Sequence, residues 1–174
     1  RRHIQLCFDI CHYGVSFDDP KTSIDELKAK NIPVGKIQIS SALRVDLRNQ
    51  EAEKIEELKK YQEPVYLHQV KALRKDGTYQ EFKDLDEAFE AYKPETYDEW
   101  RVHFHVPLFL ETYGLLESTQ QEIRETMEIQ KESPFTRHLE IETYTWGVLP
   151  SAYQLPMADS ISREIKTITD LLGL

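Results

Sequence analysis

Four short segments hold most of the side chains able to do chemistry, and each lies at or near the end of an apolar, strand-like run. Asp9 and His12 follow residues 4–8, Gln38 and Ser40 close residues 34–39, His103 and His105 alternate within 100–106, and Glu140 and Glu142 alternate within 138–143. Carboxylates supply charge and neutral imidazoles supply nitrogen, a donor set that suits a divalent ion such as Zn, Mn, Fe or Co. Such an ion polarises a carbonyl or lowers the pKa of a bound water.

Every group also has a plainer reading. Asp9 and His12 fit a turn closed by an aspartate, with a surface histidine after it. His103 and His105 share one face of their strand and fit a hydrogen-bonded pair in a half-buried sheet. Glu140 and Glu142 share a face too, where two like charges are costly unless a cation or an arginine neutralises them, and this cost singles out Glu142. Arg101 has the parity of the histidines and suits either an anion or an acidic neighbour. His68, inside a predicted hairpin, either folds over the mouth of the site or, the commoner outcome, faces solvent. Tyr144 and Trp146 offer an apolar wall for a ring-shaped substrate or plain packing. Cys7 and Cys11 make a poor metal signal without further cysteines, and Cys7 reads as a core residue.

The elements that must position these groups alternate. Strands are predicted at 4–8, 34–39, 100–106 and 138–143. Residues 9–12 read as the start of a loop, and Ser23 with Glu26 forms a capping box opening a helix through Ala29. Further helices are expected at 50–61, 84–92, from 118 or 119 to 132, and at 157–172, the last with Ile161, Ile165, Ile168, Leu171 and Leu172 on one stripe. Residues 64–82 break the rhythm as a β-hairpin insertion turning at Lys75-Asp76-Gly77. The alternation predicts a parallel α/β fold whose four βα units equal half of a TIM (β/α)8 barrel, with the polar residues at the strand ends where such barrels place their sites. Four units alone leave open edges, so a missing N-terminal half or a second copy is expected to close the barrel.

Composition narrows the function classes. The 174 residues carry 22 Lys and Arg against 31 Asp and Glu, a net charge of −9 that argues against nucleic-acid binding. No run approaches a membrane span, no apolar leader precedes residue 4, and a cytoplasmic location follows as the expectation. There is no phosphate-cradling glycine loop and no nucleophile elbow.

Taken together, Cys-Phe-Asp9-Ile-Cys-His12, Gly35-Lys-Ile-Gln38-Ile-Ser-Ser-Ala-Leu, Trp100-Arg-Val-His103-Phe-His105-Val-Pro and Leu139-Glu-Ile-Glu142-Thr-Tyr-Thr-Trp146 resemble the EboE family of metabolite-traffic proteins, within the xylose-isomerase-like TIM-barrel superfamily. The resemblance implies that residues 1–174 form the C-terminal half of such a barrel. It implies a divalent metal held by Asp9 and Glu142, with His103 or His105 compensating for Gln38, which stands where the superfamily presents a histidine. His12 matches a position that either binds a second metal or contacts substrate. With the readings above, His12 and Glu142 are expected to be catalytic and Gln38, Arg101, Trp146 and His68 to contact substrate. The activity implied is that of a metal-dependent sugar isomerase or epimerase acting on a small metabolite, in traffic that involves membrane-associated proteins. A non-catalytic carrier using the same barrel mouth is the alternative; phosphodiester hydrolysis, known among endonuclease relatives, is disfavoured by the charge.

Overall fold

A computed structural model describes residues 3–174. In chain order the elements are β1 (Leu6–Asp9), α1 (Ile10–Val15), α2 (Pro20–Ala29), β2 (Val34–Ile39), β3 (Ser41–Asp46), α3 (Glu51–Leu58) with a tightened turn at Lys59–Tyr61, β4 (Val70–Arg74), β5 (Tyr79–Phe82), α4 (Leu85–Ala91), β6 (Tyr97–Val106), β7 (Thr112–Tyr113), β8 (Leu116–Ser118), α5 (Gln120–Glu132), β9 (Leu139–Ile141) and α6 (Met157–Leu172).

The predicted half-barrel is not what forms. Among the described residues only three strands are parallel, in the order β1-β2-β9, while six others make an antiparallel sheet in the order β5-β4-β6-β3-β8-β7. The physical reason lies at Ser40. No glycine or proline interrupts the chain there, so it continues from β2 almost directly into β3, and residues 41–46 recruit β6 and β8 as antiparallel partners. Strand β6, predicted to continue a parallel series, therefore belongs to the other sheet. The hairpin forms around the predicted turn, but its first strand starts at Val70 rather than at residue 64. Through β4 it is bonded along β6, as an integral part of the antiparallel sheet.

Two apolar cores follow from the two sheets. One surrounds fully buried Trp100, with Phe82, Phe89, Tyr92 and Tyr97 ringed about it. The other joins Phe8, Ile37 and Ile39 of the parallel sheet to Ile24, Ile123, Met127 and Ile168 of the helices. Each fully buried side chain of this size contributes about 1.5–3 kcal/mol. Helix α6 buries part of the stripe its spacing predicts, with Leu171 and Leu172 packed against the core beside Ile168. Ile168 faces inward with Ser160 and Glu164, while Ile161 and Ile165 stay largely exposed. Glu164 explains the turn of the helix: its carboxylate accepts the Leu108 amide at 3.1 Å and the Thr143 hydroxyl at 2.7 Å, and burial pushes its pKa up.

Among the described residues no helix is long and apolar enough to cross a membrane.

Candidate metal centre

Asp9 ends β1 and starts α1 without an intervening loop. Its carboxylate accepts the Cys11 and His12 amides at 3.0 and 3.3 Å, so it caps the helix and fixes both residues in the first turn. That turn packs against β6, whose alternation sends His103 and His105 to one face. One donor atom from each of Cys11, His103 and His105 then lies within 4.8 Å of the others, a group able to hold a metal ion.

The state of the donors supports that use. The His105 ring is buried, and its Nδ1 lies 2.7 Å from the Glu142 carbonyl oxygen. A carbonyl only accepts, so Nδ1 carries the proton and Nε2 presents its lone pair. This backbone contact orients the ring as outer partners orient metal-binding histidines. Neither His105 Nε2 nor His103 Nε2, both shielded from water, has a hydrogen-bond partner among the described residues. Burial pushes the His103 pKa down to about 4, helped by the neighbouring His105 and His12, and burial also lowers His105 against the pull of Glu142. Both rings are neutral at pH 7, the form that binds metals. Burial, with Asp9 and Glu142 nearby, holds the Cys11 thiol well above its ordinary pKa, so metal binding there must expel a proton.

The carboxylates lie beside this trio rather than within it. Asp9 is already engaged by two amides, by the Ser40 hydroxyl at 3.2 Å and by the Gln38 side-chain amide at 3.2 Å. The same Gln38 NH2 group donates to Glu142, so one amide bridges both acids. Glu140 instead pairs with Lys36 on the exposed side. His12 stacks on His103 with ring centroids 4.4 Å apart, while its own ring stays open to solvent.

The remaining predicted contacts are dispersed. Arg101 donates to Glu99 at 2.6 Å, Glu122 at 2.7 Å and the Gly14 carbonyl at 2.6 Å, which is the ion-pairing reading of this residue. His68 is buried rather than solvent-facing, with Nδ1 3.3 Å from Asp84, Nε2 3.1 Å from Glu63 and its ring stacked on Phe104. Trp146 packs against the core around Trp100, whereas Tyr144 lies against His105 with ring centroids 4.4 Å apart and planes tilted by 41°. Cys7, expected in the core, is exposed and its thiol approaches the Gln38 carbonyl oxygen at 3.5 Å.

Cys11 is the donor that sequence spacing missed. Reading 9–12 as a loop hid it; the signal was Asp9 as a helix cap, which places residues two and three positions on in a rigid first turn. Comparison with protein-family models, with curated proteins and with solved structures returns no match.

Proposed function

We propose that Cys11, His103 and His105 hold a divalent metal ion and that the protein uses it on a small polar metabolite, in proton-transfer chemistry of the isomerase or epimerase type. The observation that carries this is the pair of buried, unpartnered imidazole nitrogens beside a buried thiol. A buried polar atom without a partner costs about 1–3 kcal/mol, and a shared cation removes that cost from both rings at once. Three protein donors leave a coordination position open, as catalytic zinc sites do, and the ion would polarise a carbonyl or a water there.

The chain's own residues take the other parts. Glu142 accepts a proton when Gln38 shifts its donation to Asp9, to which it is already bonded. His12, exposed at the rim, contacts substrate. Ser40 and Asp9 hold the first turn of α1, and with it Cys11, in place. A second reading, a metabolite carrier that passes its cargo to membrane-associated partners, is favoured by one observation: the Gln38 bridge ties up both nearby carboxylates.

Metal content separates the two. Protein purified without chelator is expected to carry close to one equivalent of Zn, Mn or Fe, and Cys11→Ser or His105→Ala to lose it while remaining folded. Absence of metal from folded wild type, together with failure to take up added zinc, would overturn the metal-dependent reading and leave the carrier.

A further inference from the structure

The chain between α3 and β4 meets the start of α4 around a cleft of about 400 Å³, walled by Glu63, Asp84 and Asp86, floored by His68 and edged by the apolar run 64–67. The three carboxylates hold only neutral hydrogen-bond donors from the backbone and from Gln62. Glu63 accepts the Val65 and Tyr66 amides at 2.6 and 3.0 Å, Asp84 accepts the His68 and Leu85 amides at 3.1 and 2.7 Å, and Asp86 accepts the Gln62 side-chain amide. Such bonds orient a carboxylate and leave its charge in place. Among the described residues no lysine or arginine lines the cleft or pairs with any of the three acids. The Glu63 side chain is only 12% exposed, so this charge is partly withdrawn from water, where an opposite charge is felt more strongly.

The floor of the cleft is incomplete as well. His68, 2% exposed, lies between two of the acids, its Nε2 3.1 Å from Glu63 and its Nδ1 3.3 Å from Asp84. Despite that approach, Nε2 makes no hydrogen bond among the described residues. An imidazole carries one positive charge at most, against three negative ones. A shielded nitrogen without a partner, beside carboxylates that meet no lysine or arginine, is a polar group that a ligand would satisfy. Charge makes that ligand cationic, and spacing decides its kind. Among the described residues Cys11, His103 and His105 form the group compact enough for a metal ion, whereas Glu63 and Asp84 stand at opposite nitrogens of His68 and do not converge on one point. An organic cation with two charged ends suits that separation, its alkyl part lying along exposed Val65 and Leu67.

We propose that this cleft binds a small organic dication, a diamine or an amine joined to a guanidinium, with one charged end at Glu63 and the other at Asp84 and Asp86. None of the metal trio lines the cleft, so the site stands whether or not the metal is bound.

The test is titration of the protein as purified with 1,4-diaminobutane, read by amide NMR at low salt. Saturable shifts centred on Glu63, Val65, Tyr66, Leu67, His68 and Leu85 are expected, and affinity should fall as salt rises. 1,4-Butanediol, equal in length and uncharged, should leave these signals in place, and 1-butylamine should bind about fivefold more weakly than the diamine. Asp86→Asn, at an exposed position that accepts only from Gln62 among the described residues, should weaken the diamine about threefold with the melting temperature unchanged. Glu63→Gln, which keeps one of its two acceptor oxygens, should weaken it about fivefold. Shifts that fail to saturate or spread over the acidic surface at large, an equal response to the diol, or unaltered affinity in both variants would overturn the site. Tighter binding of magnesium or calcium at the same residues, or binding of a lysine-rich peptide there while the diamine does not bind, would overturn the assignment to a small organic cation.

Discussion

Strand β6 carries ionisable side chains along its whole length, and its two halves bury them in different ways. At the Glu99–Arg101 half the opposite charges meet: Arg44 and Arg101 both donate to Glu99, and their other nitrogens reach Glu117 and Glu122 at 2.7 Å each, although Arg44 Nε stays without a partner among the described residues. Burial works against ionised Glu99, but the two guanidinium groups outweigh it and hold its pKa below the ordinary carboxylate value. Two residues further on, His103 and His105 meet the same pressure with no such closure, and each keeps a buried nitrogen unpaired among the described residues. Paired opposite charges neutralise one another; two unpaired imidazole nitrogens beside a thiol form a donor group able to hold a cation. The contrast separates structural charge from a candidate site more sharply than residue type does.

Breaking the closed half should cost the most stability. Arg101→Ala leaves Glu99 and Glu122 short of a cation and the Gly14 carbonyl without its donor, and should lower unfolding free energy by about 3 kcal/mol in chemical denaturation. Metal affinity of the folded fraction should change far less. The open half should show the reverse pattern. Glu142→Gln keeps the backbone carbonyl that orients His105 and alters only the adjacent acid; it should leave the melting temperature nearly unchanged while weakening zinc binding by about tenfold, read by competition with a chromophoric chelator. Equal losses of stability in the two variants would erase the distinction.

Acid should reach the two halves in sequence. His103 titrates at about 4 in the folded protein against 6.5 when free, so the unfolded chain takes up its proton first as pH falls. Stability is whole above 6.5 and declines as the pH drops towards about 4. Glu99, whose pKa lies below its free value of 4.5, retains its contribution above 4.5 and gives it up only in stronger acid. Metal-free protein should therefore begin to lose stability at mildly acidic pH, and His103→Gln should shrink that first limb, leaving the share of His105, which burial lowers too, and the second limb intact. A single limb, confined to the carboxylate range, would contradict the neutral, buried state of the histidine.

Much of the site was legible because the relevant rules are local. Period-two alternation put His103 and His105 on one face, and the end of each apolar run marked Asp9, Gln38 and Glu142, which the structure links through one amide. The fold was less so. Whether residues 100–106 pair in parallel or antiparallel is decided by β3, more than fifty residues away, and nothing in the alternation of 100–106 records its partner. The same limit explains Cys11, whose value depends on β6 crossing in front of α1. It also explains α6, where Glu164, held by two hydrogen bonds, faces inward with Ile168 while Ile161 and Ile165 of the predicted stripe stay exposed.

The central claim is that Cys11, His103 and His105 share one metal ion, and cobalt(II) substitution tests it most directly. Titration of metal-free protein should saturate at one equivalent, with a near-ultraviolet thiolate-to-cobalt charge-transfer band that Cys11→Ser abolishes and Cys7→Ser preserves. Saturable binding without that band, or a band that survives Cys11→Ser, would contradict the account.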